Sequence, residues 1–173
     1  MNSRTSQYVL AFILIFSAAL SRLLPHPLNF TPIAAMALFG GIYLDKKFAF
    51  ILPFIALLIT DYIIGFYSGA YWVYGSFALI GVLGLWLKNY KNIPAIIGGT
   101  FASSILFFII TNFGVWFSGT MYTKNFSGLM ECYIAAIPFF RNTVVGDLFY
   151  VGVLFGVYEL ITKLLAKNSV VKV

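Results

Sequence analysis

The chain has 173 residues, of which 61% are apolar, 19% are aromatic and only 9% are charged. Because soluble domains carry about 25% charged residues, this composition predicts one integral membrane domain over residues 1–173 and excludes a soluble globular protein. The net charge of +6 does not indicate nucleic-acid binding, since the basic residues lie at the ends of apolar runs. Cys132 is the single cysteine, which excludes an intrachain disulfide and the usual zinc–thiolate sites.

The first apolar run, Tyr8–Leu24, is long enough to span a membrane. A cleaved signal peptide is the alternative, with Arg4 in its basic region and Ser17-Ala18-Ala19 at its cleavage site. The apolar run continues past Ala19 to Leu24, which favours a retained span.

The stretch after this run combines Arg22, His26 and Asn29 with several prolines. Pro25 and Pro27 cannot both lie inside a regular helix, so the first helix ends near Leu24. Thr31-Pro32 then predicts a new helix start, with a hydroxyl at the N-cap and proline at N1. The positive end of that helix and the polar side chains beside it favour an anionic or strongly polar ligand. The alternative is a surface turn held by its own side chains.

The remaining runs predict an all-α bundle of about six transmembrane helices. The second run, Thr31–Leu44, would be about 21 Å long as a helix, short of a hydrocarbon core of about 30 Å. Four full spans follow at Phe48–Phe66, Trp72–Leu87, Ile93–Phe117 and Phe139–Leu165. The segment Ser118–Pro138 is too polar to span and is expected to be the longest connection.

The basic residues predict the orientation of the bundle. With six spans, one side collects Arg4, Lys46, Lys47, Lys88, Lys91, Lys163, Lys167 and Lys172. The other side receives Arg22, Lys124 and Arg141. By the positive-inside rule, both termini are expected in the cytoplasm, in a bacterial inner membrane.

Most other polar residues are expected in the outer half of this bundle. A charge that faces lipid is costly, so Asp61, Asp147 and Arg141 should face inward. The outer side is also richer in aromatic residues, including Tyr67, Tyr71, Trp72 and Tyr74, which favours an aromatic-lined pocket. The predicted ligand-binding residues are Arg22, His26, Asn29, Asp61, Asn112, Trp116, Tyr122, Glu131, Arg141, Asn142 and Asp147. The alternative is that the charged residues among them only hold the helices of the bundle together.

No catalytic or metal-binding motif is evident, so neither an enzyme nor a cofactor is predicted. The inner half is apolar and carries small residues at helical spacing. The pairs are Ala37/Gly41, Ala95/Gly99, Gly98/Ala102 and Gly152/Gly156. Such pairs favour close packing between helices, and some could instead dock another membrane subunit.

The segments NFTPIAAMALFGG, TDYIIG, TNFGVW, ECYIAAIPFFRNT and GDLFY together resemble an uncharacterised membrane family that carries only a domain-of-unknown-function label. This resemblance covers nearly the whole chain and implies no activity. More loosely, the layout resembles the substrate-binding S components of energy-coupling-factor vitamin transporters, on the run FGGIYLDKKFAFILPFIALLITDYIIG and the glycine-rich span after it. Where those proteins often carry Ala-x-x-x-Ala in the first span, this chain has Ser17-x-x-x-Ser21.

The second resemblance implies a ligand pocket near the outer face and a transmembrane coupling subunit as partner. The sequence therefore predicts a membrane protein that binds a small polar or anionic, vitamin-like molecule from outside, as the substrate-specific component of an uptake transporter. The alternative is a non-transporting structural or interaction subunit of a membrane complex.

Overall fold

The computed structural model describes residues 3–170 and the side chains of residues 5–167, and within that range it contains six α-helices and no strand. The helices are α1 (Ser3–Ser21), α2 (Ile33–Tyr43), α3 (Lys46–Ile64), α4 (Ala70–Leu87), α5 (Ile93–Ser118) and α6 (Phe126–Val170). The predicted all-helical bundle is confirmed.

Four of these helices, α3 to α6, are long and apolar enough to cross a membrane, counted over the described residues. The other two, α1 over Thr5–Ser21 and α2, are shorter apolar helices. The chain is therefore a membrane protein. With 11 residues, α2 covers only about 16 Å, roughly half of the hydrocarbon core.

The short helix α2 forms the centre of the bundle. All of its residues except Tyr43 are buried, and it contacts each of the other five helices. A helix that is apolar on every side is expected to be buried on every side. The sequence of α2 is apolar on every side, in agreement with its burial. Its first helical residue is Ile33, preceded by Pro32 without a side-chain cap, so the predicted N-cap role of Thr31 is wrong.

A glycine in α2 allows a close backbone contact between two helices. A Cβ atom at Gly41 would lie 2.6 Å from the Gly81 carbonyl oxygen and 2.7 Å from the Gly84 Cα atom in α4. The two helices therefore touch backbone to backbone, as small residues permit in membrane helices. This contact holds α2 against α4 and confirms that Gly41 packs internally.

The long helix α6 differs from the sequence prediction. Residues 126–138, expected in a polar loop, form its first turns, and the helix continues through Pro138. An interior proline removes one helical hydrogen bond. Contacts with α5 hold this part: the Tyr133 hydroxyl donates to the Ile109 carbonyl at 2.7 Å, and the Phe108 and Tyr133 rings lie 5.6 Å apart. The connection to α5 is only residues 119–125.

The two ends of the bundle differ in charge. At one end, the Lys88 ammonium donates to the Leu44 carbonyl at 2.7 Å, and Lys91 Nζ lies 4.9 Å from the centre of the Tyr43 ring. We call this the basic end, and the end with the α3–α4 and α5–α6 turns the far end. Lys172 and the Arg4 side chain, which also entered the orientation argument, lie outside the described residues.

Candidate functional site

Arg22 and Asp61 form a buried ion pair in the far half of the bundle. Arg22 Nη2 lies 2.6 Å from Asp61 Oδ1, and the two side chains are 7% and 0% exposed. Arg22 Nη1 donates to Thr60 Oγ1 at 2.5 Å, and the Tyr74 hydroxyl donates to Asp61 Oδ2 at 2.6 Å. Both carboxylate oxygens are engaged, so this cluster joins the turn after α1 to α3 and α4 rather than presenting an arginine to a ligand.

Asp147 forms a second and separate polar contact. Its side chain is 2% exposed, and Ser104 Oγ donates to its Oδ2 atom at 2.6 Å. This bond joins α5 to α6 near the middle of α5. The prediction that Asp61 and Asp147 face the interior is confirmed, in line with the cost of exposing a carboxylate to lipid.

Four predicted site residues, His26, Asn29, Glu131 and Arg141, are exposed. For Arg141 the expected inward orientation is wrong. Arg141 precedes Asp147 by six residues, or about 1.7 helical turns, so the two side chains leave α6 about 120° apart. The predicted ligand-binding residues Arg22 and Arg141 therefore do not form one anion site, because Arg22 binds Asp61 and Arg141 lies on another face of α6 from Asp147.

The two predicted asparagines are half-buried and bond to backbone carbonyls. Asn142 Nδ2 donates to the Leu28 carbonyl at 3.0 Å and so fastens the α1–α2 connection to α6. Asn112 Nδ2 donates to the Phe108 carbonyl at 2.8 Å, one turn back in its own helix. Both bonds stabilise the chain's own structure.

The last two predicted residues, Trp116 and Tyr122, lie at the α5–α6 turn. Trp116 Nε1 donates to the Thr123 carbonyl at 2.9 Å, and Tyr122 is half-buried. The Lys124 ammonium donates to carbonyls at the end of α5, including Phe117 at 3.1 Å, and lies 5.7 Å from the centre of the Trp116 ring. A cation at a helix C-terminus complements the helix dipole, so these contacts stabilise the C-terminal end of α5.

A cavity of about 390 Å³ lies close by, between the start of α4 and the end of α5. We call it the α4–α5 cavity. Its walls combine aromatic rings and hydroxyl groups, from Tyr67, Trp72, Ser68, Thr111, Ser118 and Thr120. Among the described residues that line it, none is charged. Its volume falls within the range of about 300–1,000 Å³ typical of small-molecule sites.

Trp72 is held firmly in the wall of the α4–α5 cavity. Its Nε1 atom donates to Ser118 Oγ at 3.0 Å, and its ring meets that of Phe113 edge to face at 5.5 Å. A Cβ atom at Gly114 would lie only 2.3 Å from Trp72 Cγ, so the glycine lets the indole lie directly on α5. The ring is therefore positioned before any ligand arrives.

Tyr67 lies in the α3–α4 turn and links the cavity to the ion-pair cluster. Burial raises the pKa of Tyr67 above its ordinary value, and the nearby Asp61 carboxylate raises it further. The phenol therefore stays neutral at physiological pH and keeps its O–H as a hydrogen-bond donor.

The sequence anticipated the aromatic part of this cavity but not its hydroxyl groups. Tyr67 and Trp72 belong to the aromatic residues expected on the outer side, whereas Thr111 and Ser118 are not among the predicted ligand-binding residues. Their only signal is spacing: Thr111, Gly114 and Ser118 recur at intervals of three and four residues, and so lie on one face of a helix.

The chain belongs to the family described as family of unknown function (DUF6580), which matches residues 2–169. No curated protein and no solved structure matches the chain.

Proposed function

We propose that this member of the DUF6580 family binds a small polar molecule in the α4–α5 cavity, from the outer side of the membrane. The cavity itself supports this proposal, since it combines the positioned Trp72 indole and the Tyr67 phenol with several hydroxyl groups in about 390 Å³. Apolar walls with a few placed polar groups are the usual construction of a small-molecule site.

The lining narrows the chemistry of the ligand. Aromatic rings pack against flat groups, and hydroxyls both donate and accept hydrogen bonds. Because no described lining residue is charged, we favour a neutral, flat molecule with several polar atoms over a carboxylate or a phosphate. This choice replaces the arginine-based anion site predicted from the sequence.

The direction of binding rests on charge. The α4–α5 cavity lies at the far end, whereas Lys88 and Lys91 lie at the basic end. We propose that the basic end faces the cytoplasm of a bacterial inner membrane, with both termini on that side. The far end would then meet ligands outside the cell.

We further propose that the chain is the substrate-specific component of an uptake transporter and works with a transmembrane coupling subunit. Support comes from the resemblance to S components noted above, together with an all-helical bundle and a cavity at the far end. A binding protein of this kind needs a partner to move its ligand, because a site at one end of the bundle provides no path across the membrane.

Thermal unfolding of the detergent-purified protein in the presence of fractionated small-molecule extracts tests ligand binding. A ligand that binds the folded state raises the unfolding temperature. The variant Thr111→Phe should abolish this rise by filling the α4–α5 cavity. Thr162→Phe is the matched control, because both threonines are half-buried and donate to the carbonyl four residues back, at 2.7 and 2.8 Å.

Stabilisation by the same fraction in Thr111→Phe and in the native protein would overturn the assignment of the cavity. Loss of stabilisation in Thr162→Phe as well would show that the effect is not specific to this site.

A structural or interaction subunit is the second candidate function, and one observation favours it. A Cβ atom at Gly152 or at Gly156 would meet nothing within 4 Å, so this pair of α6 glycines does not pack inside the bundle. A stable complex with another membrane protein, together with no ligand at the α4–α5 cavity, would favour this candidate.

A further inference from the structure

An apolar groove runs between α1 and α3 in the basic half of the bundle. Its volume is about 490 Å³, and its walls are Tyr8, Val9, Phe12, Asp45, Phe48 and Leu52. Val9, Phe12 and Phe48 are 46%, 43% and 46% exposed, so the groove opens to the lipid side of the bundle. We call it the α1–α3 groove.

A polar pocket of about 160 Å³ adjoins this groove at the basic end. Tyr8 and Asp45 line both spaces, so the groove and the pocket are direct neighbours. The pocket is also lined by Gln7, Tyr43, Lys88 and Tyr158. An apolar channel that ends in a small polar chamber matches a molecule with a hydrocarbon chain and a compact polar head.

The pocket presents both signs of charge. Lys88 Nζ lies 3.9 Å from Asp45 Oδ1, and the two side chains are 35% and 57% exposed. Lysine has three N–H donors, and the Leu44 carbonyl accepts one of them, so donors remain for an anionic oxygen. Asp45 offers carboxylate oxygens to a cation. The pocket therefore suits a headgroup that carries a phosphate and an amine.

We propose that the α1–α3 groove and the adjoining pocket bind one membrane phospholipid with a zwitterionic, primary-amine headgroup. An acyl chain lies along the groove beside Val9 and Phe12. The phosphate faces Lys88, and the ammonium faces Asp45. This site is separate from the α4–α5 cavity and does not depend on the function proposed for it.

Native mass spectrometry of the full chain tests this proposal directly. The protein is extracted into detergent and offered phospholipids with identical acyl chains and ethanolamine, choline or glycerol headgroups. Ethanolamine should be retained about fivefold more than choline, because only its ammonium has N–H donors for Asp45. The variant Asp45→Asn should bring that ratio close to one.

The groove has its own variant and its own control. Val9→Trp should displace the lipid by filling the groove. Ile97→Trp, on α5 at 44% exposure, should leave lipid retention unchanged because it enlarges a similarly exposed β-branched residue elsewhere. Thermal unfolding of each variant confirms that the variant is folded.

Three results would overturn the proposal. The first is equal retention of the three headgroups by the native protein, or strongest retention of the glycerol headgroup. The second is unchanged lipid binding in Val9→Trp. The third is a dimer without bound lipid that disappears in Val9→Trp, which would identify a second copy of the chain as the occupant.

Discussion

The buried charges of this protein show what one residue can reveal before the fold is known. A carboxylate in a membrane span must turn away from lipid, and this cost alone predicted that Asp61 and Asp147 are buried. Their hydroxyl partners could not be predicted, because Tyr74 and Ser104 are common residues whose roles depend on how the helices pack. The orientation of Arg141 was open to prediction, since its angle from Asp147 follows from helix geometry.

Breaking the buried Arg22–Asp61 pair should be strongly destabilising. Asp61→Asn leaves the Arg22 guanidinium, 7% exposed, without its counter-ion. Removing one partner of a buried pair costs about 3–5 kcal/mol. We therefore expect the free energy of unfolding in detergent to fall by about that amount, measured by denaturant titration.

Asp45→Asn is the control for this experiment. Its pair with Lys88 is longer, at 3.9 Å, and both side chains are more exposed, so the loss should be at most about 1 kcal/mol. Equal losses in the two variants would contradict the structural role given to Asp61.

Among the secondary-structure elements, the presence of each helix was easier to predict than the residues at which it begins and ends. Apolar runs between charged turns identified all six helices of the described chain. The start of α6 was missed because the polar residues at 122–125, together with Glu131 and Pro138, made the whole stretch Ser118–Pro138 look like a loop. Residues 126–138 are themselves mostly apolar, and Cys132 and Ala136, 2% and 9% exposed, lie on the face that packs inward.

The glycine pairs of the inner half divide into packed and open positions, which composition alone cannot separate. Gly41→Ala would place a methyl group within 2.7 Å of the α4 backbone. We expect a loss of about 1–3 kcal/mol in the free energy of unfolding, typical of overpacking.

Gly152→Ala provides the comparison, because nothing lies within 4 Å of the added methyl group. Alanine favours a helix over glycine by up to about 1 kcal/mol, so this variant should be neutral or slightly more stable. A larger loss for Gly152→Ala than for Gly41→Ala would contradict the central position of α2.

For the whole molecule, orientation follows from the distribution of lysines and arginines, which predicts a cytoplasmic basic end. A cysteine at Met121, 79% exposed in the far-end turn, should react with a membrane-impermeant thiol reagent in intact cells. A cysteine at Asn89, exposed at the basic end, should react only after the cells are opened. The native Cys132 is 2% exposed, so labelling of the native protein gives the background signal. Labelling of Asn89→Cys from outside would contradict the orientation.

The position of the α4–α5 cavity was the least predictable feature of the whole molecule. The sequence predicted that the polar residues lie at one depth in the membrane. It did not give the angle at which each side chain leaves its helix. Arg22 and Asp61 consequently neutralise each other, and the open space lies instead beside Trp72, where Gly114 allows the indole to rest on α5.

Binding of a small molecule at the α4–α5 cavity is the central claim, and native mass spectrometry of the gently extracted protein tests it most directly. The native chain and Thr162→Phe should each carry the added mass of one small molecule, and Thr111→Phe should lack it. The same added mass on all three proteins, or no added small molecule on the native chain, would contradict the claim.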